Sequence, residues 1–169
     1  MRSLANQDFL ALRTWLEETK DEPLEDMAAF FNARMDGYED HMSPWKEYYS
    51  WMASLLPGGI QTLLDIGCGT GLELDEIFKR FPSLSVTGID LSGEMLARLS
   101  QKHFASSLSL IQADYFSYPF PANFFDAAVA FETLHHFTSQ KKQQIFSKIR
   151  DSLAPGGVFL ECHYIAATQ

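Results

Sequence analysis

The sequence predicts a doubly wound α/β sandwich, with a mainly parallel sheet of five strands preceded by a helical N-terminal third. Three observations carry this expectation. From Gln61 onward short apolar runs alternate with amphipathic stretches, the rhythm of a parallel sheet covered on both faces. The first of those runs ends in a glycine-rich turn, Asp65-Ile66-Gly67-Cys68-Gly69-Thr70-Gly71, that opens a helix. Before residue 60, by contrast, apolar residues recur at helical spacing.

In the N-terminal third, Phe9, Leu12 and Leu16 mark one helix face, and Leu24, Met27, Ala28 and Phe31 a second face after Pro23. Gly37 is a stop, Ser43-Pro44 reads as an N-cap followed by proline at the first helical position, and Trp45, Tyr48, Tyr49, Met52 and Leu56 form a third stripe. Pro57-Gly58-Gly59 ends it. Residues 1–59 are thus expected to form a helical cap, and residues 60–169 the sheet-bearing core. The strands follow at Thr62–Ile66, Ser85–Ile89, Leu108–Gln112, Phe125–Phe131 and Val158–Ile165. Helices are expected from the glycine turn to about Phe81, over Leu91–Lys102, and over Ser139–Leu153, where Ile145, Ile149 and Leu153 share a face. Right-handed crossovers then fix the doubly wound arrangement.

At 169 residues, with 46% apolar and 14% aromatic content, the chain suits one packed domain. A net charge of −9 argues against nucleic acid as a partner, since phosphate neutralisation needs clustered cations. Lys141, Lys142, Lys148 and Arg150 read as a solvated helix face. Cys68 and Cys162 lack metal-ligand spacing and make no disulfide framework. There is no signal-peptide h-region and no apolar run of about 18 residues, so the expectation is a soluble, cytoplasmic protein that does not engage a membrane.

The chemistry gathers where strands end. In the Gly67–Gly71 turn the missing Cβ atoms allow a tight bend and close approach of a ligand to the backbone, and the next helix N-terminus offers unpaired N–H groups. An ordinary strand-to-helix turn is the alternative for this pattern alone. Two further carboxylates add weight. Asp90 ends the second strand, where it can accept from both ribose hydroxyls, and Asp114-Tyr115 ends the third, a carboxylate for an adenine amino group beside a ring able to flank the base. Taken singly, Asp114 also suits a turn or cap. The third glycine of a dinucleotide-binding turn would fall at position 72, which is leucine, and Asp65 is poorly placed beside a pyrophosphate. A nicotinamide-dependent oxidoreductase is therefore disfavoured. Asp65 suits a cationic ligand, met directly or through water, such as S-adenosylmethionine (SAM), which carries a sulfonium and an ammonium group.

Over roughly residues 60 to 165 the chain resembles the class I SAM-dependent methyltransferases of Rossmann-like fold, in particular the small-molecule group. The matching segments are LLDIGCGTGLEL, VTGIDLSGEML, LIQADYFSYPF, FDAAVAFETLHHF and LAPGGVFLE. The resemblance implies that Asp65, Gly67, Cys68 and Gly69 line the methionine and ribose part of SAM. It implies Asp90 on the ribose hydroxyls, Leu91 against the adenine, Asp114 and Tyr115 at the adenine edge, and Phe131 near the methionine moiety. Met95 carries over too, although a helix core role fits it equally. The product would be S-adenosylhomocysteine.

The acceptor side is less determined. Methyl transfer is an in-line displacement, so the enzyme aligns the reactants and excludes water. A base is needed only where the acceptor loses a proton, and His135 or His136, just after the fourth strand, would supply it. Packing or capping at the next helix competes with that role, and Glu132 shares the ambiguity. Phe131-Glu132-Thr133-Leu134 lacks the Asn/Asp-Pro-Pro-aromatic motif of many methylases of nucleobase or amide nitrogens, which favours a small-molecule acceptor. In the resembled group the N-terminal helices form a lid. Here Arg34 would pair with the SAM carboxylate, and Tyr38 would hydrogen-bond to it or flank the sulfonium. The alternative is that Trp45 and its aromatic neighbours are the lid's own core, which is the reading taken for Tyr48, Tyr49 and Trp51 and fits Tyr38 equally.

A full class I domain has two further strands after the fifth. Their absence from these 169 residues predicts an exposed apolar edge at Val158–Ile165. Either the chain is shortened or another chain covers the edge, as in a homodimer. A non-catalytic SAM-binding module is the competing function.

Overall fold

The computed structural model describes residues 37–163 together with Thr14, Ala29 and Asn32. The first two expected helices, Arg34, and residues 164–169 lie outside the described residues. Five parallel strands, β1 (Thr62–Ile66), β2 (Ser85–Asp90), β3 (Leu108–Gln112), β4 (Phe125–Phe131) and β5 (Leu153–Cys162), stand in the order β3-β2-β1-β4-β5. The sheet grows outward from β1 in both directions, the doubly wound order the sequence predicts. Its middle strands are buried on both faces. β1 alternates Leu63 toward one core and Leu64 and Ile66 toward the other, all fully inaccessible. On β4, Ala127, Ala128 and Ala130 keep the strand slim between its two layers.

Among the described residues, five helices cover the sheet: α1 (Tyr38–Met42), α2 (Lys46–Leu55), α3 (Leu72–Arg80), α4 (Gly93–Leu99) and α5 (Ser139–Ser152). α2, α3 and α4 contribute Met52, Leu74, Ile77 and Leu99 to the core containing Leu63, Val86 and Val129. α5 closes the opposite face with Ile145 and Ile149 against Leu64, Ile89 and Phe125. Two helices, α4 and α5, carry side-chain caps at their N-termini. Ser92 Oγ accepts from Met95 N at 3.1 Å, and Thr138 Oγ1 from Lys141 N at 3.4 Å. Arg80, in the last turn of α3, donates to the carbonyls of Ala53 and Ser54 at 2.6 Å each, pinning the C-terminal turn of α2.

Several boundaries depart from expectation. The fifth strand begins at Leu153, opposite Phe125, and crosses the expected Pro155-Gly156-Gly157 turn through a bulge before resuming at Val158 opposite Ala127. The bulge needs glycine: a Cβ on Gly157 would stand 2.9 Å from the Ala154 carbonyl and 3.1 Å from that of Phe125. The helix expected from Leu91 starts at Gly93, because Ser92 is taken up as its cap. Ser43-Pro44 opens a 3₁₀ turn, Ser43–Trp45, with no side-chain cap. The lid-core expectation for Tyr48 and Trp51 also fails: they are 50% and 58% exposed. A ten-residue helix buries one face, and Tyr49, Met52, Ala53 and Leu56, at i, i+3, i+4 and i+7, occupy it.

Asp126 ties the start of β1 to β4. Its Oδ2 accepts from Gln61 N at 2.8 Å, Thr62 N at 3.0 Å and Thr62 Oγ1 at 3.0 Å. The Gln61 and Thr62 amides hold its pKa below the ordinary carboxylate value, so its contribution is present above about pH 3.9 and fades as pH falls through the depressed value. We expect Asp126→Ala to cost about 1 kcal/mol at pH 7 by urea unfolding, with the gap to wild type closing toward pH 3.

Candidate functional site

The carboxyl ends of β1, β2 and β4 meet around the loop from Gly67 to Gly71. Gly67 N and Cys68 N both donate to Ile89 O, at 2.8 and 3.3 Å, so the loop hangs from the carboxyl end of β2. Asp90 then grips both sides: Oδ2 accepts from Gly69 N at 2.9 Å and Oδ1 from Ser92 N at 2.8 Å. Each oxygen keeps a second lone pair for a ligand hydroxyl. Burial raises the Asp90 pKa, and the amides of Ser92, Gly69 and Leu91 oppose that rise.

Gly67 has φ +67°, and a Cβ there would lie 2.4 Å from Thr133 Cγ2 and 2.6 Å from Thr133 Oγ1. The chain after β4 brings Thr133 over it. Glu132 adopts φ +51°, an uncommon conformation for a non-glycine residue, while its N–H donates to Cys162 O at 2.7 Å. Thr133 Oγ1 then donates to Gly67 O at 3.3 Å and Phe131 O at 3.0 Å.

A small cavity of about 20 Å³ follows this loop, bounded by Tyr38, Met42 and Tyr49 from the helical side, by residues 67–73, and by Phe131 from β4. The Tyr38 hydroxyl comes within 3.9 Å of a Cβ built on Gly69. Phe131 packs on Tyr49 with ring centroids 4.4 Å apart. Burial and the neighbouring Glu73 push the Tyr38 hydroxyl upward, so it stays protonated as a donor. Cys68, also raised by burial, is a neutral thiol.

Beside this cavity lie buried polar atoms without hydrogen-bond partners among the described residues: both carboxyl oxygens of Asp65 and Thr70 Oγ1. Asp65 is 0% and Thr70 1% exposed. Native interiors leave few such groups unsatisfied, and a polar, cationic ligand would supply what they lack. The cluster fits the methionyl end of SAM in chemistry.

The remaining expected residues spread outward. Asp114 Oδ1 accepts from Phe116 N at 2.9 Å, the turn role weighed for it. Tyr115 is 4% exposed and packs on Phe116 and Phe137, its hydroxyl raised by burial. Leu91, half-buried, follows Asp90. Met95 is a buried core residue of α4. His135 and His136 sit on a 3₁₀ turn with ring centroids 3.8 Å apart. His135 Nδ1 lies 3.5 Å from Glu132 Oε2. Desolvation, then nearby His163 and Lys142, lowers the His135 pKa. Desolvation, then His135, lowers that of His136.

Sequence reasoning missed Thr70, Thr133 and Glu73. Glu73 lies in the first turn of α3, where an acid ordinarily complements the helix dipole in water, yet it is 6% exposed and lines the cavity. Only its position one residue before Leu74 and four before Ile77, at the rim of the apolar face, hints at this.

Residues 63–157 match the family described as methyltransferase domain. Sterol 24-C-methyltransferase ERG6B of Gibberella zeae is 30% identical over 128 residues, covering 73% of this chain and 32% of that protein. An S-adenosylmethionine-dependent methyltransferase from Mesorhizobium loti superposes with a TM-score of 0.57 at 29% identity, over 67% of this chain and 52% of that one. DhpI in complex with SAH (S-adenosylhomocysteine) gives a TM-score of 0.66 at 26% identity, over 81% of this chain and 68% of that one. The chain thus spans about a third of the sterol enzyme's length and about half of the Mesorhizobium protein's.

We expect Gly67→Ala to lower the melting temperature by well over the few degrees that about 1 kcal/mol produces, through both the positive φ and the Thr133 clash. Adding Thr133→Ala should recover part of the loss in thermal unfolding, leaving about 1 kcal/mol of backbone strain.

Proposed function

The chain belongs to the methyltransferase-domain family, and from that premise we propose that it binds SAM over the β1–α3 loop and transfers the methyl group to a small-molecule acceptor. The observation that carries this reading is the set of partnerless buried oxygens on Asp65 and Thr70 beside a loop braced by Asp90. When bound, SAM supplies an electrophilic methyl on its sulfonium. The remaining work is alignment and exclusion of water.

Asp90 takes the ribose hydroxyls with its spare lone pairs. Gly67, Cys68 and Gly69 present backbone to the methionyl part, with Phe131 and Tyr38 closing over it. Leu91, Asp114 and Tyr115 stand toward the adenine, where Asp114 Oδ2 remains for an amino group after Oδ1 is used in its turn. As the side chains stand, the cavity has room for about one water. Tyr38 and Met42 must swing outward on α1 to admit a methionyl group. Where the acceptor must lose a proton, His135 or His136 is the base. Glu132 acts on both, and the lowered pKa of each keeps its imidazole neutral at pH 7.

No described helix is long and apolar enough to cross a membrane. The competing non-catalytic module would bind SAM without turnover.

Calorimetric titration with SAM, S-adenosylhomocysteine and NAD tests the cofactor: heat with SAM and none with NAD is expected, and the reverse would sink the proposal. Asp90→Ala should weaken SAM binding at least tenfold while His136→Ala leaves it near wild type. A methyl-release assay on a metabolite panel tests turnover. With an acceptor that loses its proton, kcat/KM should hold down to below about pH 6.5 and fall beneath it as His135 protonates. His135→Gln should lose about a hundredfold and the acid limb with it; an unchanged profile would remove His135 from the base role.

A further inference from the structure

The carboxyl ends of β4 and β5 carry a group of side chains that cofactor binding does not use. Phe131 bounds the cofactor cavity and Thr133 rests on Gly67, so the histidine turn that follows, Leu134–His136, starts at the rim of that cavity. Glu132 N–H donates to Cys162 O at 2.7 Å, which sets the end of β5, and with it His163, beside the same turn. The rings of His135 and His163 stand near-parallel, 26° apart, with centroids separated by 6.4 Å.

Each of these two rings turns the same nitrogen to a carboxylate. His135 Nδ1 lies 3.5 Å from Glu132 Oε2, and His163 Nδ1 lies 3.2 Å from Glu161 Oε1. The second approach lacks the alignment of a hydrogen bond, and both of its atoms are buried without a hydrogen-bond partner among the described residues. An imidazole lone pair aimed at a carboxylate oxygen is repelled, so the neutral ring carries its proton on Nδ1 and its lone pair on Nε2. The His163 side chain is 23% exposed although its Nδ1 is buried, which leaves Nε2 as the nitrogen a ligand can meet. His135, also partly exposed, carries its lone pair on Nε2 by the same argument.

The surrounding charge is negative. Lys142 of α5, with Nζ 3.6 Å from Glu161 Oε1, stands against both Glu132 and Glu161. Burial, then Glu132, raises the Cys162 thiol, which stays neutral. Desolvation keeps His136 neutral beside His135. Among the described residues these side chains do not meet at one point as metal ligands do.

We propose that His163 contacts the methyl acceptor together with His135, that Glu161 is the positioning residue of His163, and that the acceptor is a primary amine. The inference rests on the methyl-transfer reading above. Two outward lone pairs require two protons on the group they hold. A hydroxyl has one, whereas an ammonium has three and is drawn in by the two carboxylates. His135 takes one of those protons and passes it to solvent, while His163 Nε2 accepts from a second N–H and fixes the nitrogen. The freed lone pair forms the nitrogen–carbon bond as the carbon–sulfur bond breaks. The bonding pair stays on sulfur, and the products are a secondary ammonium and S-adenosylhomocysteine.

The test pairs a panel of primary amines with alcohols of the same carbon skeletons. Binding is followed through the imidazole nitrogen resonances of the full chain saturated with S-adenosylhomocysteine, and transfer through methyl-labelled SAM. We expect His135 and His163 to show a proton on Nδ1 before ligand is added, amines to shift both Nε2 signals, and label to appear on nitrogen. His163→Ala should raise KM for the amine about tenfold, with a smaller change in kcat and unaltered SAM affinity. Glu161→Ala should do the same, and the double variant should add little, as when one residue acts through another. A chain that binds SAM but prefers the alcohols, or takes up no amine, overturns the inference and leaves the SAM reading intact. Failure to bind SAM at all overturns both. Should either variant fail to fold, the wild-type tautomers and the preference for amine over alcohol decide.

Discussion

The bidentate use of Asp90 holds this site together. One carboxylate oxygen takes the Gly69 amide and the other the Ser92 amide, so the loop after β1 and the turn after β2 are fixed by a single side chain. Charge-assisted bonds of this kind are about twice as strong as neutral ones, and the Gly67 and Cys68 amides reinforce them through the Ile89 carbonyl. The rest follows. With the loop held, α3 starts at Leu72, which sets Glu73 inward and Leu74 and Ile77 into the core. With Ser92 held, its hydroxyl is free to cap α4 and to donate to Asn32 of the N-terminal segment. An Asp90 side chain that fixes the backbone and keeps lone pairs facing outward is at once a structural brace and a ligand contact.

Much of this architecture was legible because it rests on period and punctuation. Four of the five strands stand where their apolar runs place them, and α3 and α5 follow their apolar stripes closely. The glycines of the loop and the acid at the end of β2 announced the site. What stayed illegible depends on chain segments meeting across large sequence separations. Thr133 over Gly67 joins residues 66 apart, and Glu73 shows itself only once the first turn of α3 is known to face inward. Pro155-Gly156-Gly157 reads locally as a turn, yet pairing with β4 draws it into a bulged strand. In the same way the aromatic wealth of α2 suggests a lid core until the width of one helix face leaves Tyr48 and Trp51 outside.

The electrostatics of the site follow from where these elements converge. Asp65, Glu73, Asp90 and Glu132 gather at the ends of three strands and one helix, with Lys102 favouring the ionised form of Glu73. Such a concentration of acids opposes the folded state by mutual repulsion unless protons or a ligand relieve it. The protein tolerates it because the sheet and both cores beneath are densely buried. A site assembled at some expense to its own stability is ordinary where binding is the purpose.

The contact between Thr133 and Gly67 also limits how this molecule can vary. Thr133 belongs to the stretch joining β4 to the histidine turn, a natural place to alter when an acceptor preference is to be changed. Its side chain, however, already rests on the loop that would hold the cofactor. Any bulkier residue there would push the loop off Asp90, and a smaller one would free it. Redesign of acceptor choice is therefore best begun at His135 and His136, beyond that contact, leaving position 133 to be changed only together with position 67.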